Sequence, residues 1–281
     1  MSRQLRQQLG FTLLGLATTI VVLPILLLVG YILVQGASAI SWEFITAMPR
    51  EGMRAGGIWP ALVGTVLLTL GTAIFAVPVG IAVAIYLAEY AHDTSLTRLI
   101  RLAIINLAGV PSVVYGLFGL GLFVIFLRLG TSILAGSLTL AIMTLPVIIS
   151  TAEEALRAVP QSFRIVSLSL GATQWQTVRR VVLPQALPGI LTGVILGLER
   201  AAGETAPILF TVAAFFLPRL PRSIFDQTMA LPYHLFVIST QVPGMPLRIQ
   251  YGTALVLLAF VLSMNALATV IRSHFRRRRQ W

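Results

Sequence analysis

Long apolar runs without charge constrain this chain more than any other feature. A helix needs about 20 mostly apolar residues to cross about 30 Å of hydrocarbon. Five uncharged runs in the 281-residue sequence reach that length: Phe11–Val34, Ala61–Leu87, Leu102–Leu127, Thr131–Ala152 and Tyr251–Ile271. A sixth run, Gly189–Leu217, is long enough but carries three charged residues. The sequence therefore predicts an all-α integral membrane protein with six transmembrane helices.

Composition excludes a water-soluble globular domain. The chain is 57% hydrophobic and 10% charged, whereas soluble domains are roughly 25% charged. Cysteine is absent, which excludes disulfides, thiol catalysis and Cys-ligated metals. A shorter apolar stretch, Met229–Val242, is interrupted by Pro232 and fits an interfacial or re-entrant segment better than a crossing.

Arginine sets the predicted orientation. The formal net charge is +11, and all 20 basic residues are Arg. Basic residues accumulate on the cytoplasmic side of membrane spans. With six spans, thirteen Arg lie on the side of the two termini and six on the other. We therefore predict that both termini are cytoplasmic, and that the tail Arg276 to Arg279 contacts anionic lipid headgroups rather than nucleic acid.

The residues needed for several catalytic chemistries are missing or scattered. A nucleotide-binding P-loop needs Lys, and the chain has none, so any ATP hydrolysis is expected in a separate protein. His92, His234 and His274 are far apart in sequence, which argues against a shared metal site or a His relay. We expect no enzymatic activity and no cofactor or metal bound by this chain.

The charges in the sixth apolar run form the first candidate site. Charge at mid-membrane costs at least about 2.5–3.5 kcal/mol per residue, so these groups should face a cavity or each other. Arg200 and Glu204 are four residues apart and can pair on one helix face, with Thr205 next to them. Glu199 points about 100° away from Arg200. Because a guanidinium binds oxyanions bidentately, we predict a transient anion site, with a structural ion pair as the alternative.

Two features of the apolar runs concern helix geometry. Gly189, Gly193 and Gly197 recur every four residues, a pattern that permits close helix approach or lines a pore. In the third run, Gly109 and Pro111 favour either a packing kink or a broken helix that exposes backbone groups.

The predicted inner loop after the fourth span has a helical pattern. Its first half places Phe163, Val166 and Leu170 on one face, and its second half does the same with Trp175, Val178 and Val182. Gly171 between them suits a turn, and Pro184 is expected to end the second helix before the next span. We predict a cytoplasmic helical hairpin whose apolar face binds a partner.

This loop resembles the EAA loop of ABC importer permeases. Gly171 is followed, after nine residues, by Val181-Val182-Leu183-Pro184, although Ile165-Val166-Ser167 stand where the family has Glu-Ala-Ala. In that family the loop docks into a groove on a separate ATPase. The resemblance implies a MetI-like permease core and a coupling loop over residues 158–185. The matching coupling residues are Gly171, Ala172, Trp175, Leu183 and Pro184.

Further blocks are similar to the phosphate-specific permeases of the PstA family. They are Gly56-Gly57-Ile58, Tyr86 to Tyr90, Asn106 to Ser112 and, most specifically, Arg200 to Pro207. The resemblance covers the chain from about Gly56 onward. It implies a permease domain over residues 56–281, preceded by an anchor helix and outer loop over residues 1–55. It also implies a bacterial inner-membrane location and a role for Arg200 and Glu204 in transport.

The resemblance further implies a set of partners. These are a PstC-like second permease, two copies of a PstB-like ATPase that uses ATP, and a PstS-like phosphate-binding protein outside the membrane. The residues leave alternatives open: a permease for sulfate, molybdate or phosphonate, an ATP-independent channel or carrier that uses the Glu and Arg cluster as a relay, or a sensory scaffold. Glu89 and Asp93 near Arg98 and Arg101 fit a solvated loop with ion pairs.

Overall fold

The computed structural model describes residues 3–277, and most of them are helical. The N-terminal half contains α1 (Arg3–Ala37), α2 (Trp42–Thr46), α3 (Trp59–Ile85), α4 (Ser95–Ala108), α5 (Ser112–Gly119) and α6 (Ile133–Arg157). The C-terminal half contains α7 (Gln161–Ser169), α8 (Gln174–Thr177), α9 (Leu183–Gly203), α10 (Ala206–Thr211), α11 (Leu231–Thr240) and α12 (Leu247–Arg277). The predicted tail Arg276 to Arg279 runs past the described residues, so its contacts lie outside them.

Two short strands, one 3-10 helical turn (Glu51–Met53) and three π-helical turns complete the described elements. Strands β1 (Pro49–Arg50) and β2 (Ala55–Gly56) pair antiparallel in the loop after α2. The π-helical turns extend or join helices and cover Tyr86–Tyr90 after α3, Leu120–Phe126 after α5 and Val178–Val182 between α8 and α9.

The apolar runs form the predicted membrane helices. Five helices have the length and hydropathy of a span: Gly10–Ala37, Trp59–Tyr90, Ile133–Arg157, Gln174–Gly203 and Leu247–Val270. A sixth apolar unit consists of Ser95–Ala108 and Ser112–Phe126, which meet at a 102° bend. The third predicted span is therefore a broken helix. The break falls at Gly109 to Pro111, where Pro111 is extended with ψ 140°.

Helix α6 is the centre of the bundle. In its apolar stretch 67% of the residues are buried, against none in the stretch of α1. Helices α3 and α9 pack along α6, and glycines allow the close approach. A Cβ atom at Gly193 would lie 2.6 Å from the Cβ of Thr151, and one at Gly80 would lie 2.7 Å from the Ile148 side chain. The row of glycines on α9, Gly189, Gly193 and Gly197, therefore serves helix packing.

Residues 212–230 return the chain to the bundle and lead into the short helix α11. The backbone N–H groups of Arg222 and Ser223 donate to the Asp226 carboxylate, and the first of these bonds chiefly holds the pKa of that carboxyl below its usual value. Helix α11 is too short to cross a bilayer, and its Val237 and Ile238 are fully buried. This geometry agrees with a re-entrant segment.

The sequence prediction placed the fifth span wrongly. The helix runs continuously over Gln174–Gly203 rather than Gly189–Leu217. Pro184 was expected to end a hairpin helix, yet it lies in the first turn of α9 and the helix passes through it. The π-helical turn over Val178–Val182 explains this. Proline has no backbone N–H, and the local π geometry gives the carbonyl groups that this leaves free other hydrogen-bond partners.

Candidate functional site

Arg200 and Glu204 form an ion pair at the end of α9. Arg200 lies in the last turn of the helix, where the helix dipole favours a cation. Its Nε atom donates to Glu204 Oε1 at 3.3 Å. Glu204 has left the helix, with φ −76° and ψ 134°, so the pair closes across the helix end rather than along one face as predicted. Thr205 follows as the residue that precedes α10.

The packing of α9 against α6 gives the depth of this pair in the bundle. Gly189 lies against Ala155, and Gly197 lies against Ile148. Continuing this antiparallel register places Arg200 near the middle of α6. Because the 25 residues of α6 span about 37 Å, the ion pair lies more than a full helical turn from either end of that helix.

The broken third span packs directly against this segment. Tyr115 of α5 donates its hydroxyl to the Leu107 carbonyl at 2.8 Å, which bridges the break between α4 and α5. A Cβ atom at Gly116 would lie 3.0 Å from the Ala206 carbonyl oxygen. The structure therefore places α5, which directly follows the break in the Asn106 to Ser112 motif, against the Arg200 to Pro207 motif, although about 90 residues separate them.

Arg200 retains capacity to bind an anion. Within residues 3–277 its guanidinium makes one hydrogen bond, to Glu204, out of the five N–H donors that Arg carries. The side chains of Arg200 and Glu204 are 34% and 17% exposed. The pair thus sits at a surface of the isolated chain, where a ligand or a second subunit has access to the remaining donors.

Glu199 is separate from this pair. Its Oε2 accepts a hydrogen bond of 3.1 Å from Asn265 Nδ2 on α12. Its Oε1 is buried without a hydrogen-bond partner among the described residues. Of the four residues predicted for the substrate pathway, the structure groups Arg200, Glu204 and Thr205 and directs Glu199 toward another helix.

The predicted hairpin forms between α7 and α8. Gly171 adopts φ +83° at the turn, which explains the glycine. Thr173 caps α8 through a reciprocal pair of bonds with Gln176. The hydroxyls of Ser167 and Thr177, 2.9 Å apart, join the two arms.

The coupling residues divide into two groups. Gly171, Ala172 and Trp175 lie at the tip of the hairpin, and Leu183 and Pro184 lie in α9. The apolar face of the second arm differs from the prediction: Trp175 is exposed, whereas Val178 and Val182 are buried in the bundle. The surface open to a partner is therefore built mainly from α7 and the tip, where Ile165, Val166, Leu168 and Leu170 are exposed.

Glu89 departs most from its predicted environment. Asp93 and Arg98 form the expected exposed pair, with N and O atoms 3.5 Å apart. Glu89 is instead buried and pairs with Arg164 of the hairpin at 2.6 Å. No local pattern identifies this contact, because the two residues are 75 positions apart.

Among the described residues, no cluster of three or more His, Asp or Glu side chains is suited to a metal ion.

Comparison with known proteins gives consistent matches. The family described as binding-protein-dependent transport system inner membrane component matches residues 76–281. The chain is 33% identical over 288 residues to the probable ABC transporter permease protein YqgI of Bacillus subtilis (strain 168), covering 96% of this chain and 98% of that protein. It is 32% identical over 283 residues to the phosphate transport system permease protein PstA 1 of Mycobacterium tuberculosis (strain ATCC 25618 / H37Rv), covering 99% and 91%.

The fold has solved counterparts as well. A chain of the inward-facing MetNI methionine ABC transporter superposes with a TM-score of 0.64 at 18% identity, covering 76% of this chain and 94% of that chain. At that identity the likeness concerns the fold, and it agrees with the predicted MetI-like helical core.

Proposed function

Because the chain belongs to the family of binding-protein-dependent transport system inner membrane components, and is thus the permease subunit of an ABC importer, we propose that its substrate is inorganic phosphate. The family and the apolar helices also make it a multi-pass inner-membrane protein. The observation that carries the substrate proposal is the Arg200–Glu204 ion pair halfway along the bundle. Relatives named as phosphate permeases support it.

The chemistry of the pair suits an oxyanion that passes through. Arg200 offers a planar fork of donors that matches two phosphate oxygens. Glu204 neutralises the guanidinium when no anion is present, which limits the cost of a charge in the bundle. An arriving phosphate binds the donors that Glu204 leaves open and competes with Glu204 for the charge of the guanidinium, so the anion is held without being trapped. Glu199 makes no hydrogen bond to the guanidinium among the described residues, since its hydrogen bond goes to Asn265.

We also propose how ATP drives the cycle. This chain binds no cofactor, and ATP is used by two copies of a PstB-like ATPase that dock on the exposed apolar face of the hairpin, residues 158–185. A PstC-like permease completes the membrane pathway, and a PstS-like protein delivers phosphate from outside. In this arrangement both termini and the hairpin are cytoplasmic, residues 1–55 form an anchor and outer loop, and residues 56–281 form the permease domain.

Labelled-phosphate uptake tests the proposal. We would compare wild type, Arg200→Ala and Arg98→Ala at matched membrane levels, in cells that express the complete complex. Arg98 is the control because it also forms an ion pair, but an exposed one. We expect ATP-dependent uptake that excess sulfate does not reduce, that Arg200→Ala abolishes and that Arg98→Ala preserves.

Three other outcomes of the uptake experiment would change the proposal. Uptake that sulfate suppresses would assign the permease to another oxyanion. Uptake that continues without the ATPase would indicate a channel or secondary carrier. Uptake that survives Arg200→Ala would leave Arg200 as a structural member of an ion pair.

A further inference from the structure

The inner end of α3 widens into the π-helical turn Tyr86–Tyr90. Ala91 N donates to the Tyr86 carbonyl at 2.8 Å, five residues back. Such turns displace carbonyls from the regular ladder and are frequent at functional sites. Here the Leu87 carbonyl accepts hydrogen bonds from Arg101 of α4 at 2.9 Å and from Arg157 of α6 at 3.4 Å. The turn is therefore a junction of several helices.

Both arms of the hairpin are bonded to Glu89 in this turn. Arg164 of α7 binds the Glu89 carboxylate bidentately, with N–O distances of 2.6 and 3.2 Å. Gln174 of α8 donates Nε2 to the Glu89 backbone carbonyl at 2.6 Å. The side chains of Arg164 and Glu89 are 12% and 7% exposed, so solvent screens the pair little.

The same guanidinium also holds the end of α6. Arg164 donates to the carbonyls of Leu156 and Val159 at 2.9 and 2.6 Å. One side chain thus fixes the hairpin to the two helices that pack most extensively against each other, α3 and α6. A bidentate contact fixes orientation as well as distance, so a displacement of the hairpin that keeps this contact also displaces α3.

The other end of α3 contacts the outer part of the chain. The Leu231 backbone N–H donates to Thr65 Oγ1 at 2.8 Å, at the start of α11. The backbone at Gly64 packs against the Met229 carbonyl. From Glu89 to Thr65 the helix covers about 36 Å. Helix α3 therefore connects the hairpin to the segment of residues 212–230.

We propose that Glu89 is the residue through which the coupling hairpin moves α3, and thereby opens the outer segment, residues 212–230, when the ATPases close. It is a positioning residue for import, acting through Arg164 and Gln174, and this inference rests on the proposed ATP-driven function. A purely structural role would only keep the hairpin folded for ATPase binding. The two roles predict different results when the Glu89 charge is removed. A structural role predicts loss of ATPase association, whereas a coupling role predicts that association persists and stimulation is lost.

The test uses the purified complete complex. Glu89→Gln keeps the shape of the side chain and removes its charge, Arg164→Gln removes the partner, and Gln174→Ala removes the backbone contact without changing charge. Asp93→Asn is the matched control, a carboxylate in the loop that follows the π-helical turn, whose partner Arg98 is exposed. We would measure ATPase association, basal ATP hydrolysis and its stimulation by phosphate-loaded binding protein.

We expect Glu89→Gln and Arg164→Gln to keep the ATPase bound and basal hydrolysis intact while stimulation falls at least about fivefold, as for loss of an allosteric coupling. In the double variant, stimulation should fall no further than in the more impaired of the two single variants, since the two side chains act as one unit. Asp93→Asn should be stimulated like wild type. If Glu89→Gln fails to assemble, Gln174→Ala decides: reduced stimulation supports the inference, and full stimulation overturns it.

A second readout does not depend on the substrate. The chain has no native cysteine, so Phe216→Cys in the outer segment, with cysteine-free partners, reports on that segment alone. We expect trapping the ATPase with vanadate to change the labelling rate of this cysteine in the wild-type background and to leave it unchanged with Glu89→Gln. The same change in both backgrounds would overturn the role of Glu89. A wild-type complex that changes with vanadate but ignores phosphate-loaded binding protein would refute only the proposed substrate.

Discussion

Arg200 and its two acidic neighbours show how identical side chains acquire different tasks. Glu204 and Glu199 lie on either side of Arg200 in sequence, yet one pairs with it at 3.3 Å and the other accepts from Asn265 at 3.1 Å. The helix end at Gly203 causes this division, because it turns Glu204 back toward the guanidinium while Glu199 stays on the face toward α12. The site therefore has one cation and one displaceable carboxylate.

Glu204→Gln tests the resting pair. With the carboxylate removed, Arg200 has no anionic partner until phosphate arrives, so we expect phosphate to leave more slowly and uptake to fall. Solvent screens a guanidinium that is 34% exposed, so the expected effect is about 1 kcal/mol, or roughly fivefold. Uptake and basal ATP hydrolysis would be measured beside exposed Glu154→Gln as control. If neither quantity changes, Glu204 is not the resting partner.

At the scale of elements, the contact between α6 and α9 determines where the site lies. Three glycines of α9, Gly189, Gly193 and Gly197, face Ala155, Thr151 and Ile148 in turn, and each leaves no space for a side chain. Small residues in register let two backbones approach closely, which supplies dispersion contacts that apolar lipid cannot replace. A shift of this contact by one residue would rotate Arg200 by about 100° relative to its present neighbours.

Gly193→Ala tests that contact. The new methyl group would lie 2.6 Å from the Thr151 Cβ atom, and such overpacking costs about 1–3 kcal/mol. We expect a lower midpoint of thermal unfolding for the purified subunit in detergent. Gly30→Ala on α1, where nothing lies within 4 Å, is the control; because Ala favours a helix over Gly, its midpoint should equal or exceed that of wild type. Equal midpoints for the two variants would contradict a tight α6–α9 interface.

For the whole molecule, the described contacts connect the cytoplasmic hairpin with the outer segment through α3. The hairpin holds Glu89, α3 packs along α6, and Thr65 holds the start of α11. Helix α1 stands apart, because its apolar stretch is unburied and it packs mainly on α12. The moving parts of a transport cycle are thus expected among α3, α6, α9 and the hairpin, with α1 as an anchor.

Orientation in the membrane is a prediction for the whole chain. The excess of Arg on one side places Ser169 of the hairpin in the cytoplasm and Ile224 outside. Since the chain lacks cysteine, single cysteines at these exposed positions can be labelled with an impermeant maleimide. We expect Ile224→Cys to react in cells with a permeable outer envelope and Ser169→Cys only in inverted vesicles. The reverse labelling would invert the topology.

The sequence by itself determined the features that arise from neighbouring residues. Uninterrupted apolar runs specified the membrane helices, the spacing of Arg200 and Glu204 allowed their pairing, and Gly171 marked a turn that needs positive φ. Each of these depends on groups that are close in sequence or on one continuous run, although the helix end at Gly203, which the spacing did not predict, decides how Arg200 and Glu204 meet.

Only the tertiary structure decided the contacts between distant segments. Glu89 and Arg164 are 75 residues apart, and Glu199 and Asn265 are 66 apart. Pro184 looked like a helix end, but a π-helical turn and packing against α6 carried the helix through it. The two polar contacts share a physical reason: polar groups removed from water need a partner, and which side chain supplies it depends on how the helices pack rather than on local spacing. The course of the helix at Pro184 likewise depends on the turn before it and on the packing of α9.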